Sequence, residues 1–90
     1  MNSKILEALG ILQEECAEVI VEASKIRRFG LDEISHHTGV THRETLAMEV
    51  GDMLALVDIL LDQGVLDSVQ LDVAKQRKFE KLKKWSSIYE

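Results

Sequence analysis

Two apolar segments of the chain each carry a pair of acids three residues apart: Glu15 with Glu18 in residues 12–20, and Glu49 with Asp52 in residues 46–54. On an α-helix, positions i and i+3 share a face. Packing the two segments together gathers four carboxylates in one place, or five with Glu14. Like charges in a poorly solvated place repel, and each resists ionising. A fold tolerates that arrangement where a cation fills the space among them. The pattern therefore constrains the architecture (two packed helices) and the chemistry at their contact.

The rest of the sequence suits helices. It is 46% hydrophobic but only 4% aromatic, and it has no proline. Aliphatic packing of helices accommodates that composition better than a sheet does. Residues 1–90 read as one domain. A chain this short buries only ~60–65% of the surface its unfolded form exposes, so a second copy is an expected source of buried area. The expected fold class is all-α: a small bundle of three main helices with one further short turn of helix, completed by oligomerisation.

Capping residues and glycines place the helices. The first is expected from a cap near Ser3 to about Arg28, before Gly30. On a wheel of about 100° per residue, Ile5, Leu9, Leu12, Cys16, Val19, Ile20 and Ala23 form one apolar stripe. Leu6, Ala17 and Val21 form a second stripe, which implies a second packing partner. Residues 29–42 form a connector in which Asp32 to His37 are expected to make one helical turn. Its histidines, His36, His37 and His42, have no fixed ligand spacing and read as loop histidines, some of them lining a substrate pocket, rather than a metal set. Thr41 to Glu44 is a capping box opening a second helix that runs to about Gln63, with Gly64 ending it. On that helix Gly51, Asp58 and Asp62 mark the solvent side, whereas Glu49 and Asp52 fall among Thr45, Leu56 and Ile59. Asp67 to Gln70 caps a third helix reaching about Trp85, where Lys75 and Lys78 interrupt an apolar stripe with Leu71 and Leu82.

Charge is unevenly spread. Residues 1–74 hold fourteen acids and five bases, whereas residues 75–90 hold six bases and two acids. An acidic body with a short basic end argues against binding a nucleic-acid polymer. It suits a site shared by divalent cations and a polyphosphate. The single cysteine, Cys16, permits no intrachain disulfide, and a cytoplasmic setting is the expectation. The start lacks a signal peptide's pattern. The most apolar stretch, residues 46–61, is broken by Glu49, Asp52 and Asp58, so no membrane span is expected.

Magnesium takes oxygen ligands at about 2.0–2.1 Å and keeps waters and substrate phosphates in its shell. An all-carboxylate set favours magnesium or manganese over zinc. Glu14-Glu15-Cys16-Ala17-Glu18 matches the pattern E-E-x-x-E, and Glu49-Val50-Gly51-Asp52 matches E-x-x-D. Together these motifs resemble the signature of the MazG-like, all-alpha nucleoside triphosphate pyrophosphohydrolases. Residues 24–30, the glycine-containing apolar form of residues 49–60 and the basic residues 76–81 agree with it. The resemblance covers about residues 8–82.

The resemblance implies a magnesium-dependent enzyme that cleaves a nucleoside or deoxynucleoside triphosphate to the monophosphate and pyrophosphate. Glu15, Glu18, Glu49 and Asp52 match the metal-ligand positions, and Glu14 matches an extra acid that acts with Glu15 in catalysis. Lys78 matches a residue expected near the phosphates, and the wheel adds Lys75. A homodimer or tetramer is implied as well. Two other readings stand beside this one. Phosphoribosyl-ATP pyrophosphohydrolase shares the size and acidic pattern, although residues 12–13 and 53–56 sit better with the MazG-like group. A non-catalytic, dimerising helical module would instead pair Glu49 and Asp52 with Lys75 or Lys78.

Overall fold

Side-chain caps decide where each helix begins. In the computed structural model, which describes residues 1–90, α1 runs Ser3–Phe29, α2 His42–Asp62 and α3 Ser68–Trp85. The Asn2 side chain accepts from the Ile5 amide at 2.8 Å, so the cap lies one residue before the expected Ser3. Thr41 Oγ1 accepts from the Glu44 amide at 3.2 Å, the expected start of α2. Asp67 accepts from the amides of Val69 and Gln70 at 2.8 and 3.0 Å. Such caps satisfy amides that a helix start leaves without partners, each contributing about 1 kcal/mol. Gly30, at φ 92°, ends α1 in a conformation that side chains with a Cβ resist.

The connector forms no helix. Ile34 and Thr41 make an isolated antiparallel bridge, and the Gly39 amide bonds the Ser35 carbonyl at 2.9 Å. The expected turn at Asp32 to His37 thus gives way to a single turn, Ser35 to Gly39, that starts three residues later. The reason lies in α2. The carbonyls of Glu33 and Leu31 accept from the His42 and Arg43 amides at 3.2 and 2.9 Å. Those carbonyls cap the second helix instead of coiling into a helix of their own. Arg43 clamps Asp32 with two bonds of 3.1 and 3.2 Å on the surface.

Helices α1 and α2 pack antiparallel, with Ala8, Leu56 and Leu60 as the buried core. Leu9, Ile11, Leu12 and Leu66 pack around them. The expected main stripe of α1 holds through Val19 and then fails: Ile20 and Ala23 are exposed. Ala8 and Glu22 are buried instead.

α3 stands apart. It has no buried residue and barely touches α1 or α2. Leu71 and Leu82 are half-buried, whereas Val69, Val73 and Trp85 are 68%, 53% and 77% exposed. The chain is flat, 41 × 36 × 14 Å, with a radius of gyration of 15.8 Å. A compact chain of this length has a radius of about 12 Å. The accessible surface is 7010 Å². A compact monomer of this mass exposes about 5,300 Å². No helix is long and apolar enough to cross a membrane.

A core this small depends on few side chains. Leu60 is 1% exposed, the one large side chain fully enclosed. Leu60→Ala is expected to cost about 3 kcal/mol, from lost transfer energy and the cavity left behind. Urea denaturation checks it; a cost under about 1 kcal/mol would show that α1 and α2 do not pack through this residue.

Candidate metal centre

The antiparallel pairing of α1 and α2 faces one acidic turn with another. Ala8 sits by Leu56 and Leu60, so a few turns along, Glu15 meets Glu49 and Asp52. Carboxylate oxygens of Glu15, Glu49 and Asp52 lie within 4.8 Å of one another. Opposite oxygens of an octahedral magnesium shell are about 4.2 Å apart, so the triad is close to that size. Glu15 and Glu49 are half-buried and Asp52 is exposed at the rim. Glu18 is exposed and lies outside the converging three. Glu14 is exposed beside them on α1.

The cluster has no cationic partner. The ion pairs of the chain are Lys25–Glu22, His42–Glu33, Arg43–Asp32 and Lys83–Glu80, and none involves these acids. Lys75 and Lys78 are exposed on α3 and pair with neither helix of the cluster. Within one protomer the structure therefore does not bring the two lysines to the acids.

Electrostatics marks Glu49 as the centre. Desolvation by the packed helices raises its carboxyl above the usual carboxylate range, and the charges of Glu18, Asp52, Glu15 and Glu22 add to that. Four acids from two helices thus act on one. An all-oxygen set with unbalanced negative charge fits a hard divalent cation.

The raised value has a consequence for stability. Between the ordinary carboxylate value and the raised one, the folded chain holds a proton that the unfolded chain releases. Stability from this group therefore falls as pH rises through that window. Glutamine mimics the protonated acid. In metal-free buffer Glu49→Gln is expected to gain on wild type as pH rises above the ordinary carboxylate value, read as a melting-temperature difference that grows with pH. A difference that stays constant with pH would contradict the shift.

Two residues beside this centre are more buried than sequence reasoning could tell. Glu22, 6% exposed, continues the acidic face one turn beyond Glu18 and binds Lys25 Nζ at 3.3 Å. His42 is not a loop residue but the first of α2, 4% exposed. The capping box at Thr41 was the available signal, because it sets His42 inside the helix. The three histidines are not gathered into one group, whereas the three carboxylates lie close enough together to hold an ion. A scan against protein-family models found no match, and neither a search of curated proteins nor one of solved structures gave one.

Proposed function

We propose that the chain is a magnesium-dependent nucleoside triphosphate pyrophosphohydrolase of the MazG-like kind. One observation carries this reading: three carboxylates from two helices converge without any cation of the protein to balance them. The motif resemblance supplies the reaction.

In that reading Glu15, Glu49 and Asp52 would hold the cation, with Glu18, one turn further along α1, as a fourth ligand. Magnesium bound there supplies Lewis-acid neutralisation of the phosphate under attack. Glu14, free at the rim, orients a water with Glu15 and takes its proton. The water oxygen bonds to a phosphorus, the α–β anhydride bond breaks, and pyrophosphate leaves with the electron pair. Lys75 and Lys78 carry part of the phosphate charge.

Those lysines arrive from a second copy. The chain exposes about 1,700 Å² more than a compact monomer of its mass, enough for a stable interface on each protomer. Charge agrees: the basic residues 75–90 of one copy complement the acidic body of another. A homodimer, or a tetramer built from it, seats α3 against the partner's α1 and α2.

The test is pyrophosphate release from a panel of ribo- and deoxyribonucleoside triphosphates with magnesium, phosphoribosyl-ATP included. Release from at least one common triphosphate, abolished by chelation, is expected. Activity confined to phosphoribosyl-ATP would move the assignment to that enzyme. The exposed α3 also suits a non-catalytic dimerising module, which predicts no thermal shift with magnesium and a non-hydrolysable nucleotide; the enzyme predicts stabilisation growing with ligand concentration.

A further inference from the structure

We infer that α3 of a second copy lies in the groove between α1 and α2, anchored by its Val73, and that this seat aims the second copy's Arg77 at the phosphates of the nucleotide. The docking stands on its own; the role of Arg77 rests on the hydrolase reading above. The groove, about 200 Å³, is lined by Ala8 and Ile11 of α1 and Leu56 and Ile59 of α2, with Glu7 and Gln63 among its polar residues. It lies on the same face as the acids. Ile11 is four residues before Glu15 and seven before Glu18, and Leu56 is four after Asp52 and seven after Glu49. Those spacings keep to one side of a helix.

The two surfaces change from apolar to charged in step. On α1 the row is Ile11, Glu15, Glu18, Glu22. On α3 it is Val73, Arg77, Lys81, Lys84, with Val69 one turn earlier. Steps of three and four residues hold each row to one side of its helix. The charges are opposite, row against row. An α3 running parallel to α1 with Val73 at Ile11 thus sets Arg77 by Glu15 and the two lysines further along the acidic row. Laid the other way, the same helix would run past Glu7 to Lys4 and leave the acids without partners. Arg77, Lys81 and Lys84 are exposed and enter no ion pair of their own chain.

The connection before α3 explains why the occupant comes from another copy. Leu66 packs on the core, and the amides of Val65 and Leu66 bond the Leu60 carbonyl at 3.0 and 3.2 Å. That fixes the chain between α2 and α3, and α3 leaves without folding back onto its own groove. Two copies that exchange α3 make the contact twice, one groove and one helix from each. Each protomer's excess accessible surface is of the size such a contact covers. A guanidinium grips two phosphate oxygens at once. The acids of one copy and the second copy's Arg77 would then hold the triphosphate from two sides, with Lys75 and Lys78, on other sides of α3, meeting it further out.

Two experiments on the full chain test this. Ile11→Cys and Val73→Cys, each combined with Cys16→Ser, are refolded together and oxidised. A disulfide joining the two unlike chains is expected to dominate, with none when Leu54→Cys replaces Ile11→Cys. No such bond, or a bond that closes within one chain when both cysteines are placed on it, would overturn the docking whether or not the protein is an enzyme. For the second, Arg77→Ala is expected to raise KM by about tenfold or more with sedimentation unchanged. Refolding Arg77→Ala chains with Glu49→Gln chains is then expected to recover about a quarter of wild-type activity, because half of the pairs are mixed and each of those holds one intact site of two. An unaltered KM, or no recovery on mixing, would overturn the role of Arg77 and leave the hydrolase standing. If the wild type hydrolyses nothing, the hydrolase reading falls, and calorimetry with magnesium and inorganic tripolyphosphate replaces the kinetics. Equal affinity in wild type and Arg77→Ala would overturn the phosphate contact, and a loss of about tenfold or more would support it.

Discussion

Glu49→Gln is expected to lower pyrophosphate release by a factor on the order of 10²–10³ while making the metal-free protein more stable. The two effects have one cause. Glu49 sits where desolvation and four neighbouring acids oppose its charge. Removing that charge relieves the repulsion and at the same time removes the centre of the proposed ligand set. A residue kept for function against the interest of the fold shows this opposition of signs. Glutamine keeps the shape and volume, so a loss of activity cannot be assigned to unfolding when the melting temperature has risen. Pyrophosphate release and thermal melting, on the same preparations, check both halves. Equal activity in wild type and variant would refute the assignment of Glu49. A variant that loses both activity and stability would make Glu49 a structural residue instead.

Val69→Asp with Val73→Asp is expected to convert the oligomer to monomers and to lower the melting temperature by more than about 10 °C. Both side chains are more than half exposed on α3 in the single chain. An isolated protomer would hardly register the change, since surface substitutions of this kind usually cost little. A protomer whose α3 lies against a second copy must bury two carboxylates in an apolar contact. The excess accessible surface and the lack of any buried residue in α3 put the expectation on the second case. On the proposed function catalysis falls too, because the second copy's α3, with its Lys75 and Lys78, would leave. Sedimentation velocity distinguishes the cases. A wild type that sediments as a monomer, or a variant indistinguishable from it, would leave the acid cluster without those lysines.

The sequence carried much of this fold in its local signals. Thr41 with Glu44 and Asp67 with Gln70 are chemistry within one helical turn, and both helix starts stand where those residues put them. The i, i+3 spacing of the acids, with the apolar residues around Glu49 and Asp52, was enough to place Glu15, Glu49 and Asp52 near one another. What was not legible depends on contacts between distant residues. Ile20 and Ala23 continue the apolar stripe of α1, yet they are exposed while Glu22 between them is buried, so the face that α1 turns to α2 has moved off the stripe at that level. The connector misled for the same reason: whether the carbonyls of Leu31 and Glu33 coil into a helix or cap α2 is decided by the far end of the loop. The wheel for α3 was sound as a pattern but silent about the partner, and a single protomer leaves that face open. Glu22 was visible as an acid in line with Glu18, but its burial and its link to Lys25 follow only from the closeness of α2.

Titration of the metal-free protein with manganese, followed by electron paramagnetic resonance, tests the central claim most directly. Manganese shares magnesium's preference for carboxylate and water ligands and reports its own binding. The wild type is expected to withdraw manganese from solution, to do so more tightly with a non-hydrolysable nucleoside triphosphate present, and to lose that uptake in Glu49→Gln. Manganese left equally free by wild type and variant, with and without nucleotide, would mean that these converging acids hold no cation.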